Sequence, residues 1–190
     1  MRKIILSLFL IANLVCFAQN NKSLDTISSI KFYGIDYSMA KVYGAAETPG
    51  EFKMAFDGIN LLFITEAKKY NLEKFLEMSV TEISLDAVNE VNNKIIPGEL
   101  ETTNQNYTLN DHEIARAVRV LPIKKEPGVG MVIIAKLLNK AANNGSYQIV
   151  FFDTDTKEIL ESTPANGKAR GFGLRNFWAG SIYQVLKKLQ

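Results

Sequence analysis

Val129–Glu161, VGMVIIAKLLNKAANNGSYQIVFFDTDTKEILE, carries the strongest strand pattern of the chain and fixes where a sheet must form. Val129 to Leu138 is apolar and β-branched, with Gly128 before it and Gly130 inside it, and reads as a buried strand. Its end, Lys136 to Lys140, also fits a helical turn. Asn143-Asn144-Gly145-Ser146 has turn chemistry, and Tyr147 to Phe152 is almost wholly apolar, as expected of a central strand. Asp153-Thr154-Asp155-Thr156 then turns the chain into a third strand, Lys157 to Glu161. The stretch is a three-strand meander, and the other elements are placed around it.

Downstream, residues 164–173 are rich in Gly, Lys and Arg and read as a connection. Trp178, Ile182, Val185 and Leu189 recur at helical spacing, which predicts a packed terminal helix. Upstream, residues 30–43 place Tyr33, Ile35, Tyr37 and Met39 on one alternating face of a strand, with Gly34 marking a bulge or close approach. Thr48-Pro49-Gly50-Glu51 has the form of a capping box with proline at the first helical position. Phe52, Ala55, Phe56, Ile59, Leu62, Phe63 and Ala67 follow at helical spacing, so a helix is predicted over 49–70, its wide apolar face on the sheet. Between these, Val80–Leu85 suits a strand and Ala87, Val88, Val91 and Ile95 a short helix stopped by Pro97-Gly98. Residues 98–109 read as a polar loop. Asn110-Asp111-His112-Glu113 opens a second capped helix ending near Val120. The fold class is α+β: a mostly antiparallel sheet with a long N-terminal helix and a C-terminal helix packed on it.

The first residues supply an address. Arg2 and Lys3 precede an apolar run, Ile4 to Val15, that falls short of the ~20 residues a membrane span needs. Cys16-Phe17-Ala18 then offers small residues for cleavage before Gln19, so residues 1–18 read as a signal peptide, 19–29 as a tether and 30–190 as one domain. The expected location is periplasmic or secreted. A lipoprotein anchored at Cys16 is the alternative, although Val15 stands where a small residue is wanted. Membrane attachment enters only by that route.

Cleavage after Ala18 removes the single cysteine, and with it disulfides and thiol chemistry. It also removes Arg2 and Lys3, so 22 basic residues become 20 against 20 acidic ones and the mature charge is zero. A neutral chain has no global electrostatic attraction to nucleic acid. A cysteine-free secreted domain of this length fits a bacterial envelope.

Chemistry is sparse. His112 is the only histidine, in the first turn of a predicted helix, so no metal site is expected. Asp153-Thr154-Asp155 begins like a calcium loop but has Glu158 in place of the glycine and Pro164 in place of the final glutamate. No Gly-x-Ser-x-Gly elbow occurs, and no catalytic residue or cofactor is assigned. The remaining cluster is Gly167–Asn176, whose Lys168, Arg170, Arg175 and Asn176 would bind an anion at a helix start. The structural alternative makes this a glycine-bent connection with Asn176 as the helix cap and Arg175 paired with a buried acid, Asp36.

Gly34–Ser38, Glu66–Tyr70, Tyr147–Asp153 and above all Gly171–Gly180, GFGLRNFWAG, resemble segments of a group of uncharacterised secreted proteins of Bacteroidetes. The resemblance implies a Gram-negative source and a periplasmic or surface location, and it supplies no activity. Asp25-Thr26-Ile27 also resembles the O-glycosylation signal of such bacteria. The expected function is a non-catalytic envelope module that binds an envelope protein or a small ligand. The alternatives are a carboxylate- or arginine-based periplasmic hydrolase and an anion-binding protein using residues 167–176.

Overall fold

A computed structural model describes residues 27–190. The signal peptide, Cys16, residues 19–26 of the tether and Asp25-Thr26 of the glycosylation-like motif lie outside the described residues. The elements run β1 (Ser29–Asp36), β2 (Lys41–Tyr43), α1 (Pro49–Thr65), α2 (Leu72–Leu76), β3 (Ser79–Ile83), α3 (Asp86–Asn93), α4 (Asp111–Val120), β4 (Val129–Asn139), β5 (Asn144–Asp153), β6 (Ile159–Lys168) and α5 (Leu174–Leu186). The fold is α+β, with helices packed on one mixed six-stranded sheet of order β3-β1-β4-β5-β6, β2 lying beside β4.

The meander is present as β4, β5 and β6, whose two antiparallel pairings are the longest of the sheet. The Lys136–Lys140 end of β4 is strand as far as Asn139, because β5 pairs with it down to Asn144. β6 is twice as long as its pattern suggests. It continues through the polar residues to Lys168, which pairs with Asn144, so part of the predicted 164–173 connection is edge strand. Pro164 is tolerated there because an edge strand has one side free of the ladder.

The other half of the sheet is parallel. β1 runs parallel to both β3 and β4, and β2 parallel to β4. The predicted strand over 30–43 is therefore two strands on one edge of β4. The register of β1 slips between Phe32 and Ile35, where Gly34 takes φ +98°. A Cβ on Gly34 would lie 2.8 Å from both Leu85 and Val88, so the residue is also a close approach. The bulge corrects the alternation drawn from sequence. Tyr33 packs with Val132, Ile134 and Phe152 on one face, whereas Ile35 and Tyr37 join the core on the other.

That second core is the larger. It places Phe52, Phe56, Ile59 and Phe63 of α1 and Trp178, Ile182 and Val185 of α5 on Ile133, Ala135, Tyr147 and Ile149 of the sheet. Tyr37 stacks on Phe56 with centroids 3.9 Å apart, and the Tyr147 hydroxyl hydrogen-bonds Ser181 of α5. The opposite face is covered by α3 and α4 through Val88, Val91, Ile114 and Val118. Both capping boxes form. The Glu51 amide donates to Thr48 Oγ1 and Glu51 accepts from the Thr48 amide, and Asn110 and Glu113 repeat the exchange on α4. α1 stops at Thr65, short of the predicted residue 70. Asn71 then caps α2, accepting from the Lys74 amide at 2.9 Å.

Candidate functional site

The connection from β6 to α5 is shaped by backbone contact. Gly180 leaves no room for a Cβ beside the Arg170 carbonyl, and the Arg170 amide donates to Phe177 O at 3.1 Å. Gly171 and Gly173 take φ +136° and +76°, values that L side chains rarely adopt. The glycines of GFGLRNFWAG thus hold the loop against the helix.

Lys168, Arg170, Arg175 and Asn176 are all exposed, Lys168 on the edge strand and the others around the start of α5. Asn176 is not the cap. Gly173 is the N-cap and supplies no side-chain bond, because the helix begins two residues before Asn176. Asn176 instead accepts from Arg175 Nε and Nη2 at 3.1 and 3.0 Å. Arg175 is not paired with Asp36. Its aliphatic stem lies over α1, with Cδ 2.8 Å from where a Cβ of Gly58 would sit, and its head is in solvent.

Asp36 is buried at the end of β1. Its Oδ1 accepts from the Ser38 amide at 2.7 Å, and its Oδ2 has no partner. Burial pushes its carboxyl pKa up, partly offset by the Ser38 hydrogen bonds. The short Asx-type contact satisfies half of the group that an arginine was expected to neutralise.

Other acids are engaged locally. Lys31 bridges Glu82 at 2.7 Å and Glu126 at 3.0 Å in a cleft of about 250 Å³ where β1, β3 and the entry to β4 meet. The hydrogen bond from Lys31 holds the Glu126 carboxyl below its usual range, and the two carboxylates raise the lysine. Asp153 Oδ1 accepts from the amides of Asp155 and Thr156, so the calcium-like segment is a self-closed turn. Among the described residues, no group of three or more His, Cys, Asp or Glu is placed to hold a metal. His112 is exposed on α4.

The most distinctive surface lies on α1, and the periodicity that located the helix did not single it out. Met54, Leu61 and Ile64 are 69%, 51% and 54% exposed on the side of α1 turned away from the core. They form a second apolar stripe at i, i+7 and i+10, beside the buried Phe52–Phe63 stripe. The available signal was width: a helix apolar over more than its core-facing side has apolar surface left over. On one flank, Asp57, Leu61, Leu85, Asn89 and Asn93 line a shallow groove of about 310 Å³ against α3. On the other flank lies Arg175, and three residues before it Phe172 stands 96% exposed at the tip of the loop. Ile96, also exposed, follows a segment tied to α1 by Lys53, whose ammonium donates to Asn93 O at 3.0 Å. Among the described residues, five of the six exposed large hydrophobics therefore belong to α1 or to segments touching it; Val120 on α4 is the exception.

A second apolar groove, of about 250 Å³, lies between Phe63, Tyr70 and Leu72 and the strand residues Val80 and Ile83. No helix among the described residues is long and apolar enough to cross a membrane. Comparison of the chain with protein-family models, with curated proteins and with solved structures gives no match.

Proposed function

We propose that this chain is a non-catalytic module of the bacterial envelope, secreted or periplasmic, that binds a protein partner through the outer face of α1. The observation carrying this reading is the exposed stripe Met54–Leu61–Ile64, continued toward Phe172 and Ile96. Scattered apolar residues are ordinary on a surface, but their concentration along one helix is the mark of a face that is covered when the protein works. The charged residues fit the same role. Arg175 lies at the edge of the stripe, its stem against Gly58, and Asp57, three residues after Met54, lies within it; both supply charge for orientation.

The experiment is site-specific photo-crosslinking in cells producing the chain. A benzoylphenylalanine at position 61 is expected to give a defined adduct. The same group at Thr163, on the exposed edge strand, is expected to give none. No adduct from position 61, or equal yields from both sites, overturns the reading.

A second reading, an anion site at 167–176, is favoured by one observation. α5 opens without a side-chain cap and without an acid in its first turn, with Arg170 and Arg175 exposed beside that opening and Lys168 exposed at the end of β6. Inorganic phosphate would then raise the melting temperature of the wild type and leave that of Arg175→Ala unmoved. Equal shifts in the two proteins exclude it.

A further inference from the structure

Resting on the reading of α1 as a binding face, we infer that the protein partner seats an arginine side chain in the groove between α1 and α3, with Asp57 as its counter-ion. Met54, Asp57, Leu61 and Ile64 stand at i, i+3, i+7 and i+10, so this acid lies inside the exposed apolar stripe. A partner that covers the stripe covers Asp57 too. A carboxylate taken out of water needs a cation, and its own chain supplies none: among the described residues the Asp57 carboxylate makes no ion pair and no hydrogen bond. Lys53, the one basic residue of α1, is committed elsewhere, its ammonium donating to the Asn93 and Ile95 carbonyls at 3.0 and 3.4 Å. Arg175, whose stem crosses Gly58, bonds Asn176 instead.

The groove supplies the rest of the site. It encloses about 310 Å³ and is lined by Asp57 and Leu61 of α1 and by Leu85, Asn89 and Asn93. The last three follow at four-residue spacing, a row along α3 that starts at its N-cap, Leu85. The Lys53 bonds set the start of α1 beside the end of α3, so Asp57 and Asn93 lie toward one end of the groove and Leu61 and Leu85 toward the other. The side chains of Asn89 and Asn93 also bond nothing among the described residues, which leaves two amide oxygens free beside the carboxylate. Acceptors at one end and leucines at the other match one side chain, its methylene stem on Leu61 and Leu85 and its guanidinium across the oxygens. Arginine fits better than lysine, because its planar fork presents several donors to oxygens carried by two helices. The same acid argues against other occupants. A lipid surface would draw Asp57 into hydrocarbon unpaired, and a second copy docked symmetrically about Asp57 would set acid against acid.

Nuclear magnetic resonance of the purified chain tests the groove with two defined probes, N-acetyl-arginine amide and its neutral isostere N-acetyl-citrulline amide. Binding in the millimolar range is expected for a single side chain without the rest of a partner. The arginine probe should shift the side-chain amide signals of Asn89 and Asn93 and the methyl signals of Leu61 and Leu85 saturably, and the citrulline probe should bind about tenfold more weakly or less. Asp57→Asn, an isosteric change at an exposed position, should remove most of the arginine response while the rest of the spectrum verifies folding. Equal responses to the two probes, no saturable shift, or an unaltered response in Asp57→Asn overturns the proposal. In cells, with the benzoylphenylalanine moved to position 64, outside the groove lining, Asp57→Lys should cut the adduct by about tenfold or more. Asp155→Lys, on the exposed β5–β6 turn, should leave it unchanged. An adduct indifferent to Asp57→Lys removes the arginine and leaves the binding face standing. No adduct from position 61 or 64 removes both.

Discussion

Asn60 of α1 and Asn92 of α3 donate to the same backbone oxygen, that of Ile35, at 2.9 and 3.0 Å. Asn60 Oδ1 also accepts from the Ile35 amide and Asn92 Oδ1 from the Tyr37 amide, both at 2.7 Å. β3 pairs with β1 only as far as Phe32, so beyond it the edge of β1 has no strand beside it. The two side-chain amides take the place of that strand. They close the sheet edge inside the protein, and they join α1 to α3 at the groove beside the proposed binding face.

Asn60→Ala should cost about 2–4 kcal/mol, because it orphans the buried Ile35 amide as well as removing the side chain's bonds. Asn92→Ala should cost a similar amount through the Tyr37 amide. The two losses should not add, since Ile35 O keeps one donor in either single variant and none in the double. Urea denaturation of the four proteins of the cycle gives the coupling; strictly additive losses would show that the shared carbonyl is of no consequence.

Gly34→Ala is expected to destabilise by about 2 kcal/mol or more, since a β-carbon there meets Leu85 and Val88 while the backbone stays at positive φ. Gly98→Ala is the control, because nothing lies within 4 Å of its added carbon. A thermal melt in which both variants match wild type would mean that the β1 bulge relaxes freely.

The meander and both capping boxes were legible because each is a local signal: apolar runs, turn residues, and a side chain that reaches its own helix. What escaped depends on partners distant in sequence. The parallel placement of β1 between β3 and β4 is set by which strands the helices allow to meet, and 31↔130 pairing leaves no trace in either segment. β6 beyond Glu161 escaped because an exposed edge strand carries no apolar alternation. Nothing local marks Asn60 and Asn92 as core residues, yet both are buried, because each donates to Ile35 O. For the loop 167–176, the structural alternative turned Arg175 inward to Asp36, whereas its side chain is exposed. Arginine heads reach solvent on long stems, and Arg175 does so over Gly58.

Arg175→Ala follows from that correction. A buried pair with Asp36 would have made this variant lose ~3 kcal/mol or more. With the guanidinium in solvent and bonded only to Asn176, the loss should stay below about 1 kcal/mol in dilute solution. A loss of the larger size in chemical denaturation would put the arginine back in the core.

Asp36→Asn should stabilise the protein at neutral pH and lose that advantage in acid. Burial raises the folded pKa of Asp36 above its ordinary value, so the folded state holds the proton to higher pH than the unfolded chain does. The contribution of Asp36 is then fully present below the ordinary carboxylate range and declines as pH rises through the folded pKa, because ionisation favours the unfolded state. Asparagine keeps an oxygen for the Ser38 amide at the same place and carries no charge at any pH. Melting temperatures of wild type and variant should therefore converge toward pH 3–4, the ordinary range of an aspartate, and separate progressively above it, the variant the more stable. A constant difference across that range would mean that Asp36 titrates alike in both states. A variant less stable at neutral pH would mean that the Oδ2 of Asp36, without a partner here, meets a cation that stabilises its charge.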